Sequence, residues 1–339
     1  ILLINKIYIK IIFSKDYKIE MKILVVQNRM GIGDMVIFLP FIEAISKKYK
    51  SPVSLLVKKS SKASEFLHNT KYIKQIIPLL RNNKNLEHDG VVGFFKLAKK
   101  LRSYKFDSIF IFNSSARFNL VAKTAGIKNI FQYPIFNKKN QHIIKTAQKF
   151  LKKKLNIKVK PNPIISIKKK YIISTRKKFK FKSYEKNILL GIGGSGPTKR
   201  VPAKKFIKFI ELVSKKYKSR FFLATGKNSE EQKILKEILK SKFKNKCYKL
   251  DNLSIKKILP IISNCDVAIC NDSSFSHLSA ALGIKTIVLM TDTPLMYGSY
   301  NKHMHAIIPD GEKTVTHNTL GKNKINPKKI FNKFNKLIK

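Results

Sequence analysis

From Met21 onward, short β-branched runs alternate with longer stretches in which apolar residues recur every three or four positions. The run 22–27 (KILVVQ) predicts a buried strand, 35–49 a helix with Phe38, Phe41, Ile42 and Ile45 on one face, and 53–57 the next strand. That is one βαβ unit. Strands are expected again at 73–77, 108–112 and 130–133, with helices near 91–104, 115–125 and 141–154. Apolar strands separated by helices imply a parallel sheet covered on both faces.

Around 155–186 the periodicity fades into IKVKPNPIISIKKK and a lysine-dense run, read as an interdomain region. A second alternation then starts. It predicts strands at 188–191, 221–225, 247–250, 267–270 and 286–290, with helices at 203–217, 229–240, 254–263 and 275–282. Five strands and four helices in that order make a second doubly wound sheet. A last helix at 327–338 has Asn326 as its N-cap, Pro327 at its first position, and Ile330, Phe331, Phe334 and Leu337 at helical spacing. The expected organisation is an extension outside the core (1–20), a first Rossmann-like domain (21–160), a connection (161–186), a second such domain (187–320) and a basic amphipathic helix (321–339). The opening ILLINKIYIKIIF is broken by Lys6 and Lys10 and too short to span a bilayer. In α/β sheets of this kind ligands bind at the carboxyl edge, so two facing domains place the active site in the cleft between them.

A length of 339 residues suits two domains, and 43% hydrophobic residues exclude a disordered chain. Seventy-one Lys and Arg against nineteen Asp and Glu leave +52, which draws the surface toward polyanions. Abundant Lys, Ile, Asn and Phe with no Trp also match the codon bias of an AT-rich genome. The lysines are scattered rather than gathered in a stripe, so nucleic acid is not the expected partner. Three cysteines, Cys247, Cys265 and Cys270, lack CxxC spacing and suit a reducing compartment. His303 and His305 form an HxH pair without a convincing third ligand, so no metal site is expected.

Three segments carry candidate chemistry. In QNRMGIGDMVIFLP (27–40), Gly31 and Gly33 form only GxG, with Val36 where a dinucleotide fingerprint needs its third glycine. Asp34 suits a helix N-cap, and equally a general base at the cleft edge. In GIGGSGPTKRVP (191–202) the Walker A order fails, which leaves a small-residue loop with Gly193 and Ser195, the cations Lys199 and Arg200, and a following helix whose N-terminus attracts a pyrophosphate. In CNDSSFSHLSAALG (270–283), Asp272, Ser273, Ser274 and His277 bring polar groups from a strand end to a helix start.

Taken in series, MKILVVQNRMGIGDMVIFLP, LLGIGGSGPTKRVPAKKF and DVAICNDSSFSHLSAALGIKTIVLMTDTP resemble glycosyltransferase family 9, the ADP-heptose:lipopolysaccharide heptosyltransferases, over residues 21–300. The resemblance implies an α/β, GT-B architecture of two Rossmann-like doubly wound domains facing a central cleft. It further implies an acceptor-binding N-terminal half, a nucleotide-sugar-binding C-terminal half, and inverting transfer without metal or cofactor, the donor being ADP-heptose. It makes Asp34 the base, with Gly31 and Gly33 in the acceptor-side loop, sets Lys199 at the donor phosphates, and gives Asp272 and His277 the donor sugar and diphosphate. Val201 stands where the family has Trp, Ser274 where it has Gly, and Leu289 and Met290 where Gly-Pro precedes Thr-Asp.

The chemistry asks for a base on one side of the cleft and fixed positive charge on the other, since a hydroxyl is a poor nucleophile and a nucleoside diphosphate leaves as an anion. Asp34 and Lys199 supply that polarity. Arg200 is expected to assist bidentately, and the Ser273 and Ser274 amides to bind a phosphate oxygen. A phosphorylated glycolipid acceptor implies a cytoplasmic enzyme with peripheral contact to anionic membrane, and family analogy has the C-terminal helix pack across the domains. A nucleotide-sugar epimerase of the same fold and a nucleic-acid-binding module are the alternative classes.

Overall fold

The computed structural model describes residues 20–81, 87–135 and 142–338, so the reading of 1–20 as an extension lies, but for Glu20, outside the described residues. The first half forms a five-stranded parallel sheet from β1 (Ile23–Gln27), β2 (Val53–Lys58), β3 (Ile73–Leu79), β4 (Ser108–Ile111) and β5 (Asn129–Gln132), in spatial order β3-β2-β1-β4-β5. Helices α1 (Ile32–Tyr49), α2 (Ala63–Phe66), α3 (Gly90–Tyr104) and α4 (Ala116–Thr124) lie in the four crossovers, and α5 (Ile143–Leu155) follows the last strand. All five residues of β1 are buried, as a strand covered on both faces requires. Ile23 and Val25 join the apolar cluster under α1, and Leu24 and Val26 the one under α3 and α4.

The second half has six parallel strands where five were expected. They are β6 (Lys186–Gly191), β7 (Ser219–Ala224), β8 (Cys247–Lys249), β9 (Val267–Asn271), β10 (Lys285–Leu289) and β11 (Met304–Ile307), ordered β11-β10-β9-β6-β7-β8. Strand β11, which contains His305 of the HxH pair, escaped the pattern because MHAI is short and neither alternating nor continuously apolar. Helices α6 (Lys169–Lys178), α7 (Ala203–Lys216), α8 (Ser229–Lys240), α9 (Ile255–Ile262), α10 (Ser274–Ala281) and α11 (Pro327–Ile338) surround this sheet. In both sheets the strand order reverses once, between β1 and β4 and between β6 and β9, and crevices open at such points.

Two connections differ from expectation. The lysine-rich 161–186 region is not irregular throughout, since α6 lies on the second lobe. The Arg176 Nε–H there donates to Asn264 Oδ1 at 3.1 Å and the Asn264 side-chain amide donates to the Ile172 carbonyl at 3.0 Å. It has no buried residue, hence no apolar period to announce it. Helix α11 does not bridge the domains. Its buried Ile330 and Phe334 face α7 within the second lobe, with the Phe334 ring edge-on to Phe209 at 5.8 Å and to Tyr217 at 5.9 Å. Asn326 Oδ1 accepts from the Lys328 N–H at 3.0 Å, as a cap does.

The lobes share one apolar cluster running from Ile23 and Phe38 through Phe275 and Leu278 to Leu189 and Phe222. Its crossing point is α1 of the first lobe against α10 of the second. No helix among the described residues is long and apolar enough to cross a membrane.

Candidate functional site

Helix α1 begins at Ile32, three residues earlier than the apolar period suggests, with Gly31 as N-cap. Asp34 is therefore not the cap. It lies in the first helical turn, where the free N–H groups favour a carboxylate, and its Oδ1 is 3.6 Å from Arg29 Nη1. Gly33 lies inside the helix rather than in a turn. A Cβ there would meet His277 Cδ2 at 2.5 Å and Nε2 at 3.0 Å, so only glycine permits α1 to come this close to α10.

On the opposite lobe, Asp272 follows β9 and is 5% exposed. Its Oδ2 accepts from Lys199 Nζ at 2.8 Å, and its Oδ1 is 3.9 Å from His277 Nε2. Burial alone would raise its pKa, but Lys199 and His277, with hydrogen bonds from Lys199 and Thr293, outweigh that and hold it below the ordinary carboxylate value. Burial pushes the His277 pKa down, although Asp272 and Asp34 both pull the other way. The Tyr300 hydroxyl, its pKa raised by burial, bonds His277 Nδ1 at 2.9 Å, and the two rings stack at 5.7 Å. Tyr300 thereby fixes the plane of the imidazole.

The glycine loop after β6 is shaped from below. Glu231, 6% exposed on α8, accepts the Gly194 N–H on Oε1 at 2.6 Å, and a Cβ on Gly193 would strike that carboxylate at 2.7 Å. Asn271 donates to the carbonyls of Ile192 at 2.8 Å and Gly193 at 3.2 Å. Arg200 turns away from the role expected for it, since its Nε–H donates to the Gly194 carbonyl at 2.9 Å and it does not line the cavity.

Every other predicted site residue lines one cavity of about 640 Å³ between the lobes: Asp34, Gly31 and Gly33 from the first, and Gly193, Ser195, Lys199, Asp272, Ser273, Ser274 and His277 from the second. Ser273 is the N-cap of α10 and its buried Oγ has no protein partner, so a hydroxyl stands ready beside the free helix amides. A second cavity of about 910 Å³ adjoins it, lined on the first lobe by Lys58, Asn113, Tyr133 and His142. Arg29, Asp34, Tyr297 and His317 line both, which puts the Asp34 carboxylate where the two meet.

Sequence reasoning missed Arg29, Glu231 and Tyr300. Glu231 had a signal, because Asn228 followed three residues later by Glu is a capping pattern, and the Glu231 N–H does donate to Asn228 Oδ1 at 2.9 Å. Its carboxylate instead reaches the glycine loop. Arg29 and Tyr300 had none. Among the described residues no group of three or more His, Cys, Asp or Glu is placed to hold a metal ion.

Known proteins resemble this chain in the same terms. The profile of glycosyltransferase family 9 (heptosyltransferase) matches residues 94–324. A lipopolysaccharide heptosyltransferase 1 of Campylobacter coli is 27% identical over 136 residues, a match that spans 38% of this chain and 38% of that curated relative. Among solved structures, the ADP-heptose LPS heptosyltransferase II of E. coli superposes with a TM-score of 0.71 at 17% identity, covering 94% of this chain and 98% of its own. A family 9 glycosyl transferase of Veillonella parvula gives 0.75 at 16% identity, with 94% and 97% covered.

Proposed function

The chain belongs to glycosyltransferase family 9 and has its GT-B fold, and on that footing we propose that it transfers a sugar from a nucleoside diphosphate donor to a glycolipid or glycan acceptor, with inversion and without a metal. The donor we assign is ADP-heptose and the acceptor a lipopolysaccharide core. The observation that carries this reading is Asp34 at the junction of two interlobe cavities, one of which holds Lys199, Asp272 and the N-terminus of α10. The first lobe, 21–160, binds the acceptor in the larger cavity, and the second, 187–320, binds the donor.

Asp34 takes the proton of the acceptor hydroxyl as that oxygen bonds the anomeric carbon from the face opposite the leaving group. The bond from anomeric carbon to phosphate oxygen breaks, and its electron pair leaves with the nucleoside diphosphate. Lys199 and the amides of Ser273 and Ser274 meet the charge that grows on that phosphate. Asp272 holds Lys199 in the cavity until the diphosphate competes for it. Arg200 acts indirectly by shaping the loop at Gly194. Glu231, which lines the same cavity, suits the hydroxyls of a ribose as well as the loop amide.

The test is donor binding by thermal shift with ADP- and UDP-sugars, followed by transfer assays. Asp34→Asn is expected to bind donor almost as the native chain does and to lose transfer by roughly two to four orders of magnitude. Equal transfer rates would remove Asp34 as base, and donor turnover without acceptor would favour an epimerase.

A further inference from the structure

The first lobe carries an apolar face that its own core does not use. Helix α3 turns Gly93, Leu97, Ala98 and Leu101 inward and leaves Val91, Val92 and Phe95 exposed by 73, 68 and 59%. At about 100° per residue these three fall within one sector of roughly 100°, with Lys99 inside it and Lys96 at its margin. Neighbouring α4 adds the exposed Leu120 and Lys123, and the two helices are joined where Arg117 lies over the Phe94 ring at 5.6 Å.

The location is specific. Helix α3 starts at the carboxyl edge of its sheet, the edge that forms the cleft. Its N-cap Asp89 is 3.6 Å from Arg81, which follows β3, and the end of β3 at Leu79 pairs with Lys58 of β2, which lines the larger cavity. The exposed Met30 lines that same cavity. The first turns of α3, which carry the apolar face, thus lie on the cleft edge of the first sheet.

We infer that this face docks on an anionic lipid surface, Val91, Val92 and Phe95 entering the boundary between headgroups and acyl chains while Lys96 and Lys99 stay at phosphate level. Apolar knobs flanked by lysines match both properties of such a surface. A second copy of this chain is a poor occupant, because it would bring the same excess of positive charge. The inference deepens the glycolipid reading and rests on it only for the purpose of docking, since vesicle binding needs neither donor nor acceptor.

The protein has no tryptophan, so a single substitution reports its own surroundings. Phe95→Trp and, as a control in the second lobe, Tyr184→Trp are placed in the full chain. Tyr184 is 60% exposed with Lys182 and Lys218 beside its ring, so it controls for charge without an apolar cluster. With phosphatidylcholine vesicles containing phosphatidylglycerol, emission from Phe95→Trp is expected to shift to the blue and that from Tyr184→Trp to stay put. Val91→Ser, Val92→Ser and Phe95→Ser combined are expected to weaken partitioning by roughly tenfold to a hundredfold, with melting temperature and donor binding unchanged. Co-sedimentation with vesicles but no shift at Phe95→Trp would overturn the inference by assigning the contact to another basic face, as would no vesicle binding at all. A blue shift that grows with protein concentration in the absence of lipid would also overturn it, making the face a contact between copies. Donor binding is read separately, so failure here leaves the transferase reading standing.

Discussion

Gly33→Ala probes the closest approach between the lobes. One methyl group at this position would sit 2.5 Å from His277 Cδ2, about 0.9 Å short of the 3.4 Å at which such contacts become ordinary. The imidazole cannot simply swing aside, because it is 5% exposed, stacked on Tyr300 and bonded to its hydroxyl at 2.9 Å. Either that bond breaks or α1 and α10 part by most of an ångström. In an exposed helix the same substitution would stabilise by about 0.5–1 kcal/mol, because glycine is the more flexible residue. Overpacking costs about 1–3 kcal/mol, so the net effect on stability is a loss of up to about 2 kcal/mol. The effect on transfer is larger, since parting the lobes moves Asp34 away from the donor pocket, and a misplacement of about 1 Å costs on the order of a hundredfold. The assay pairs kcat/KM for transfer with urea denaturation, using Gly196→Ala as the control because the nearest atom to its Cβ would be 3.9 Å away. A Gly33→Ala protein that melts higher and turns over at the native rate would refute the claim that this contact sets the site.

Two further outcomes follow from the buried charges. Lys199→Met leaves the buried Asp272 without its ammonium partner, so a stability loss on the order of 3 kcal/mol is expected together with weakened donor binding. Adding Asp272→Asn should restore the denaturation midpoint but not the donor affinity, and recovery of both would remove Lys199 from the phosphate site. The second outcome concerns pH. His88 is fully buried with Nδ1 accepting from the Leu80 N–H at 3.0 Å, and burial holds its pKa, like that of His277, below the ordinary 6.5. As pH falls through about 6.5 the unfolded chain takes up protons that the folded chain refuses, so stability is complete above that value and declines below it. Urea midpoints at about pH 7.5 and 5.5 should differ, and His88→Asn should flatten the difference; an equal slope in both proteins would refute the assignment.

Much of the fold was legible because it depends on local period and burial. The runs at 22–27, 53–57, 188–191 and 267–270 read as strands of sheets covered on both faces, and all four lie inside their sheets rather than at an edge. Where the pattern was weak the reading failed, at β11 with its mixed MHAI and at α6, which buries nothing. The site divides along the same line. Asp34, Lys199 and Asp272 stood out as charged groups just after strands, and the parallel topology carries every strand end to the cleft. Arg200 stood out equally and lies outside the cavity lining, because whether a loop side chain faces the cavity or its own backbone depends on the loop's path.

By itself, then, the order of apolar and polar residues determined two parallel sheets and which segments end at their carboxyl edges. Only the tertiary structure decided that Gly33 clears the His277 ring, that Glu231 supports the glycine loop, and that α11 packs within one lobe. The physical reason is range. A strand or helix is written in the residues it contains, whereas the distance between two lobes is set by packing among residues far apart in the chain, which no local pattern records.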